Sequence, residues 1–148
     1  MIEKVCNHFL LSEIILGDPV RPNISAEDRI APAREVYHLD HKAYICLAYL
    51  NDVPYNENSL LNIQCGDIVV AYTIWSNHKG MGRELILQTR ELISSEDRFE
   101  RLVTLSPKTE MAMKFHLSNG AKLIRENDHT NNFEYSMKPS LREIRGGM

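Results

Sequence analysis

Cysteine is scarce in this chain, with three in 148 residues: Cys6, Cys46 and Cys65. They are odd in number and far apart, and no two have the spacing of a zinc finger or a small disulfide framework. Neither a structural metal nor a disulfide scaffold is therefore expected, and buried free thiols are the ordinary reading. Long apolar runs are lacking too. None approaches the ~18 residues needed to span a bilayer, so no membrane segment is expected. Charge of one sign does not dominate: the formal net charge is -3 at pH 7, which gives neither the basic surface of a nucleic-acid binder nor an acidic tail. Met1-Ile2-Glu3-Lys4 lacks the basic flank, apolar core and cleavage site of a secretion signal, which makes the cytoplasm the expected location. No internal repeat or domain boundary is visible.

What is present is an ordinary globular composition, 43% apolar and 25% charged, in a length suited to one domain with a real core. Residues 2–16 carry an apolar pattern that suggests an amphipathic helix stopped by Gly17-Asp18-Pro19, and 18–33, with three prolines, read as an irregular loop. Glu35 to Leu39 and Ala43 to Leu50 form an expected hairpin around Asp40-His41-Lys42. Turn signals then surround a short apolar patch at Leu60, Leu61 and Ile63. Ile68 to Trp75 is the most β-rich run, nearly all apolar, as a strand covered on both faces should be. Met81 to Ser94 is an expected helix and Arg101 to Leu105 a strand. Ser106-Pro107 opens a second helix, with Ser106 as its cap, that ends at Asn119-Gly120. Leu123 to Arg125 and Phe133 to Met137 form a last hairpin. The tail from Lys138 is expected to be loose. This order defines an α/β (α+β) domain in which the strands at 68–75 and 101–105, joined by a helix, are parallel neighbours.

The turn between the apolar strand and the first long helix, His78-Lys79-Gly80-Met81-Gly82-Arg83, carries the chemistry. A glycine-spaced turn into a helix exposes unpaired N–H groups and lets an anion approach closely. Lys79 and Arg83 put positive charge where the helix dipole disfavours it, which argues for a bound anion, read as a pyrophosphate. The plain alternative is a tight turn with two solvated cations. A nucleoside-triphosphate loop is disfavoured, since Gly82-Arg83-Glu84 lacks the hydroxyl that would ligate magnesium. His38-Leu39-Asp40-His41 resembles a metal cluster on paper, but strand positions three apart face opposite ways, so its histidines are not expected to converge.

The order of elements and two motifs resemble the GNAT superfamily of acetyl-CoA-dependent N-acyltransferases over roughly residues 35–137. Asn77-His78-Lys79-Gly80-Met81-Gly82 is similar to the family's Arg/Gln-x-x-Gly-x-Gly/Ala turn. Thr109 to Ala121 is similar to its Asn-x-x-Ala-x-x-x-Tyr-x-x-x-Gly-Phe helix, with Ala112 and Gly120 in register. Asn77, Thr109 and Ala121 depart from that pattern, and His116 stands where many members have a tyrosine that protonates the leaving thiolate. The family's usual strand before the N-terminal helix is not recognisable.

The resemblance implies a GNAT-like mixed central sheet flanked by helices: residues 1–34 form an N-terminal helix and loop, 35–137 the core, 138–148 the tail. It implies acetyl-CoA as co-substrate, without a metal, its pantetheine arm along Thr73, Ile74 and Trp75 and its pyrophosphate on Asn77, His78, Lys79, Gly80, Met81, Gly82 and Arg83. It also implies transfer to a primary amine, on a small molecule or a peptide, by direct attack in a ternary complex, with His116 as general acid. A hydrogen-bonded structural histidine is the competing reading of His116. Glu35, Asp40 and Ser106 are candidates for the base. The loops at 18–33 and 51–66 are expected to shape the acceptor side. Dimerisation is common in the family. A non-catalytic acyl-CoA-binding module of the same fold is the alternative.

Overall fold

The structure, a computed structural model, describes residues 1–137; the tail expected from Lys138 lies outside the described residues. A mixed sheet forms the centre. Its strands are β1 (Glu3–Lys4), β2 (Arg34–Leu39), β3 (Ala43–Leu50), β4 (Ile68–Ser76), β5 (Arg101–Thr104), β6 (Ser106–Pro107), β7 (Lys122–Glu126) and β8 (Thr130–Tyr135). They run in the order β1-β2-β3-β4-β5-β8-β6, with β7 on the other side of β8. Among the described residues every pairing is antiparallel except β4 with β5, which are parallel neighbours joined by a helix crossover. β3 is buried along its whole length because both faces of the sheet are covered.

One face packs under α1 (His8–Ile14), α2 (Ala26–Arg29) and α3 (Glu57–Asn62), in a core that joins Leu11, Ile24 and Leu60 to Cys46, Val70, Tyr72 and Trp75. The other face packs under α4 (Met81–Ser94), with Leu85, Ile86 and Ile93 against Ile45, Val69 and Phe133. The helix α5 (Glu110–Ser118) lies on the same side, contributing the half-buried Phe115 and Met113.

Several boundaries differ from the sequence expectations. The expected helix over 2–16 begins only at His8, where the Asn7 side chain accepts the Phe9 and Leu10 N–H groups. Before it, β1 pairs with β2, and the Val5 N–H donates to the Val36 carbonyl at 2.7 Å. The first strand is thus present but too short to show a period. Ser106-Pro107 does not start a helix. It continues the β5 direction as β6 against β8, and Thr109 caps α5 by accepting the Ala112 N–H at 3.2 Å. Ser-Pro suits a strand edge as well as a helix start, since proline lacks the N–H in both settings. The loop at 18–33 contains α2, capped by Ser25, and the 51–66 segment contains α3, opened by a capping box between Asn56 and Ser59. The last hairpin strand runs over 130–135 rather than 133–137. Of the cysteines only Cys46 is buried; Cys6 and Cys65 are exposed.

The histidines of His38-Leu39-Asp40-His41 do converge, with ring centroids 3.9 Å apart and nearly parallel planes. The strand argument fails because Asp40 and His41 form the turn, with φ of 52° and 55°. The His41 N–H donates to His38 Nδ1 at 3.2 Å, which commits that nitrogen locally.

Candidate active site

The site begins with an irregularity in β4. Cys46 opposes Thr73 and Leu47 opposes Ala71, so Tyr72 is an extra residue on β4. Such a bulge bends its strand. On the other side, β4 and β5 pair from Ile68–Arg101 to Ala71–Thr104, and the last rung is the Leu105 N–H donating to the Ala71 carbonyl at 3.0 Å. Beyond that rung the strands part: among the described residues, Thr73 to Ser76 pair only with β3. Alternate N–H and C=O groups on that free edge of β4 face the opening.

Arg21 holds the fork. Its Nε donates to the Tyr72 carbonyl at 3.2 Å and its Nη2 to the Leu105 carbonyl at 2.9 Å, one on each diverging strand. Arg21 is itself placed by a buried ion pair. The Arg29 Nη1 donates to Asp18 Oδ2 at 2.7 Å, and both side chains are fully buried. Arg29 also donates to the Ile24 and Arg21 carbonyls, while Asp18 accepts from the Val20 and Arg21 N–H groups and from the Thr73 hydroxyl. A buried charge is tolerable only with partners of this kind. The network pins the proline-rich loop against β4 and sets Pro19 and Val20 on the rim of the fork.

The fork opens into a cleft of about 310 Å³. Its walls come from β4 (Thr73 to Ser76), from Leu105, Ser106 and Pro107, from α5 (Ala112, Phe115 and His116 among them), and from Gly82 at the start of α4. Gly82 lines the cleft at that helix end, where an added Cβ would stand 3.4 Å from the Phe115 ring, at the edge of ordinary van der Waals contact. Trp75 is buried and stacks on Tyr44, with ring centroids 5.1 Å apart.

The turn into α4 is built for exposed N–H groups. Gly80 is the N-cap with φ 83°, a left-handed conformation that favours glycine, and it offers no capping side chain. The Met81 N–H donates to the His78 carbonyl and the Glu84 N–H to the Gly80 carbonyl, which leaves those of Gly82 and Arg83 at the open end. Ser76 braces the turn by accepting the His78 N–H at 3.1 Å. Lys79 and Arg83 are exposed, and neither has an ion-pair partner among the described residues.

The expected site residues therefore fall into two groups. Thr73, Ile74, Trp75, Gly82 and His116 line one cleft. Asn77, His78, Lys79, Gly80, Met81 and Arg83 form the helix start at its outer end rather than its walls. The Thr73 hydroxyl donates to Asp18, so toward a ligand it can only accept. His116 is buried, 2.7 Å from the Tyr135 hydroxyl through Nδ1 and stacked on Phe133, and burial pushes its pKa down to about 4. It is thus neutral near pH 7. Of the three candidate bases only Ser106 lines the cleft, its hydroxyl 2.8 Å from that of Thr104. Glu35 is held elsewhere by Lys4 at 2.7 Å and by the Tyr49 hydroxyl, and Asp40 sits in the hairpin turn.

The sequence reading missed Asp18, Arg21 and Arg29. Their partners lie up to 84 residues away, and nothing in the local sequence points to them.

No protein-family model matches the chain, and no curated protein matches it in sequence. Solved structures do match in fold. Malonyl-CoA decarboxylase from Agrobacterium vitis superposes with a TM-score of 0.73 at 14% identity over 99% of this chain, which spans only 62% of that one. A Bacillus subtilis acetyltransferase in complex with CoA gives 0.64 at 13% identity, covering 93% of this chain and 98% of that one. The GNAT domain of Streptomyces lividans PAT gives 0.62 at 13%, covering 90% and 88%. The fold of this chain is GNAT-like, a mixed sheet flanked by helices. Among the described residues no helix is long and apolar enough to cross a membrane.

Proposed function

We propose that the chain is a GNAT-type N-acetyltransferase that moves an acetyl group from acetyl-CoA to a primary amine in a ternary complex, in the cytoplasm. One observation carries this reading: the fork between β4 and β5 opens into a cleft that ends at the uncapped start of α4, flanked by Lys79 and Arg83. A pyrophosphate there meets free N–H groups and the positive end of the helix. The pantetheine arm then adds to the free edge of β4 at Thr73 to Trp75, which brings the thioester to the fork. A backbone N–H near Trp75 stabilises the oxyanion without rearrangement. The neutral amine nitrogen attacks the carbonyl carbon, the C–S bond breaks, and the proton lost by the nitrogen passes to the sulfur, so that CoA leaves as a thiol. No acyl-enzyme is needed, so the cysteines are spectators.

His116 acts in this scheme as a neutral group. With the Tyr135 hydroxyl donating to Nδ1, the ring proton sits on Nε2 and supplies a hydrogen bond to the departing sulfur. The burial of His116 also favours the second reading, a non-catalytic acyl-CoA-binding module, since a histidine with a pKa of about 4 is a weak source of protons at pH 7. Free-thiol release from acetyl-CoA over a panel of amines tests the choice. Turnover that falls on His116→Ala while CoA binding persists supports catalysis, and binding without turnover for any amine supports the module. Malonyl-CoA serves as the second donor, since loss of its carboxylate without an acceptor would assign a different reaction.

A further inference from the structure

The cleft opens on both faces of the sheet. Phe115 belongs to the core under α4, whereas Tyr72 and Trp75 belong to the core under α1 to α3. Gly82 and Ala112 line it on the α4 side, and Pro19 and Val20 on the loop side. With acetyl-CoA entering along α4, as the proposed function has it, the acceptor meets the thioester from the loop side.

That side is walled by neutral groups: Pro19, Val20, Trp75 and Leu105, with Thr73 as the polar one, its hydroxyl already donated to Asp18. Asp18 and Arg21, the charged residues that flank Pro19 and Val20, are already engaged. Asp18 is closed by Arg29, and Arg21 is occupied by two carbonyls and by Glu57 at 3.3 Å. His116 is the one titratable side chain besides Tyr72 that lines the cleft among the described residues, and Tyr72 remains protonated because burial raises its pKa.

We propose that the acceptor is an uncharged, weakly basic nitrogen on an apolar aromatic body, of the arylamine or arylhydrazine class, rather than a polyamine or an aminoglycoside; this rests on the acetyltransferase reading. An alkylammonium with a lysine-like pKa of ~10.4 is unprotonated in only about one molecule in 10³ at pH 7. It would need a base to release its proton and a carboxylate to offset its charge against apolar walls. An arylamine arrives with its lone pair free. Its nitrogen attacks the thioester carbonyl, the N–C bond forms and the C–S bond breaks. The proton on nitrogen passes to the departing thiolate, whose thiol pKa of ~8.5 makes it the stronger base of the two. The products are the amide and CoA thiol, and no charge is left in the cleft.

The test is kcat/KM from thiol release with aniline and phenylhydrazine against spermidine and an aminoglycoside, between pH 6 and 9, with acetyl-CoA binding followed by calorimetry. The expected result is an aryl acceptor favoured by about tenfold or more at pH 7 with a flat pH profile, while any cationic amine gains about tenfold per pH unit as its proton is lost. Spermidine or the aminoglycoside preferred at pH 7 overturns the inference, as does spermidine turnover abolished by Glu57→Gln, which would give the acceptor a carboxylate. Acetyl-CoA bound with no aryl acceptor consumed also overturns it and leaves the binding reading intact. Acetyl-CoA not bound overturns both.

Discussion

The buried His116 makes stability depend on pH in a calculable way. Its pKa falls from the ordinary 6.5 to about 4 because burial penalises the imidazolium. The unfolded chain therefore takes up this proton first as pH drops. Stability rises with pH through the window from about 4 to 6.5, is complete above it, and has lost this whole contribution below it. The two pKa values give a loss relative to pH 7 of about 2 kcal/mol at pH 5 and about 3 kcal/mol at pH 4. Other groups titrate in the same window, so the measurement is a difference of differences. Urea unfolding is run at pH 7 and pH 5 on the parent and on His116→Gln, which keeps a polar partner for Tyr135 and cannot titrate. The parent should lose about 2 kcal/mol more than the variant. Equal losses would refute the burial argument and return His116 to the pool of ordinary general acids.

Two further perturbations follow from the site. Arg29→Leu strands the Asp18 carboxylate, fully buried with the loop built around it, and should cost about 3–5 kcal/mol in chemical unfolding, with Asp18→Asn in the same chain recovering part of it. No loss on Arg29→Leu would mean that the ion pair does not hold the loop. Lys79→Ala with Arg83→Ala should weaken acetyl-CoA binding by about 1–2 kcal/mol at low salt and less at high salt, with stability unchanged within ~0.5 kcal/mol. An affinity that ignores both substitutions would place the pyrophosphate elsewhere.

The strand, turn and helix from Ile68 to Ser94 were legible because three local signals agree there: a continuous apolar run, glycines at the turn, and a helical stripe. β1 was not, since two residues carry no period. The start of α5 was misplaced because Ser106-Pro107 satisfies the rules for a helix start and for an edge strand alike, and only pairing with β8 decides. The stacking of His38 on His41 depends on two consecutive non-glycine residues at positive φ, which strand periodicity does not anticipate. The fork itself rests on a one-residue bulge at Tyr72 and on Arg21 reaching both strands. Neither leaves a trace in local sequence, because the partners are assembled only by the fold.

The central claim is that the fork binds an acyl-CoA, and thermal unfolding with acetyl-CoA, with ATP as control, tests it most directly. At a hundredfold excess over Kd, binding should add about 2.7 kcal/mol, which is roughly 5–10 °C for a domain of this length. That shift with acetyl-CoA and not with ATP is the predicted result. No shift at millimolar acetyl-CoA, or an equal shift with ATP, would contradict the account and leave the glycine turn as a turn.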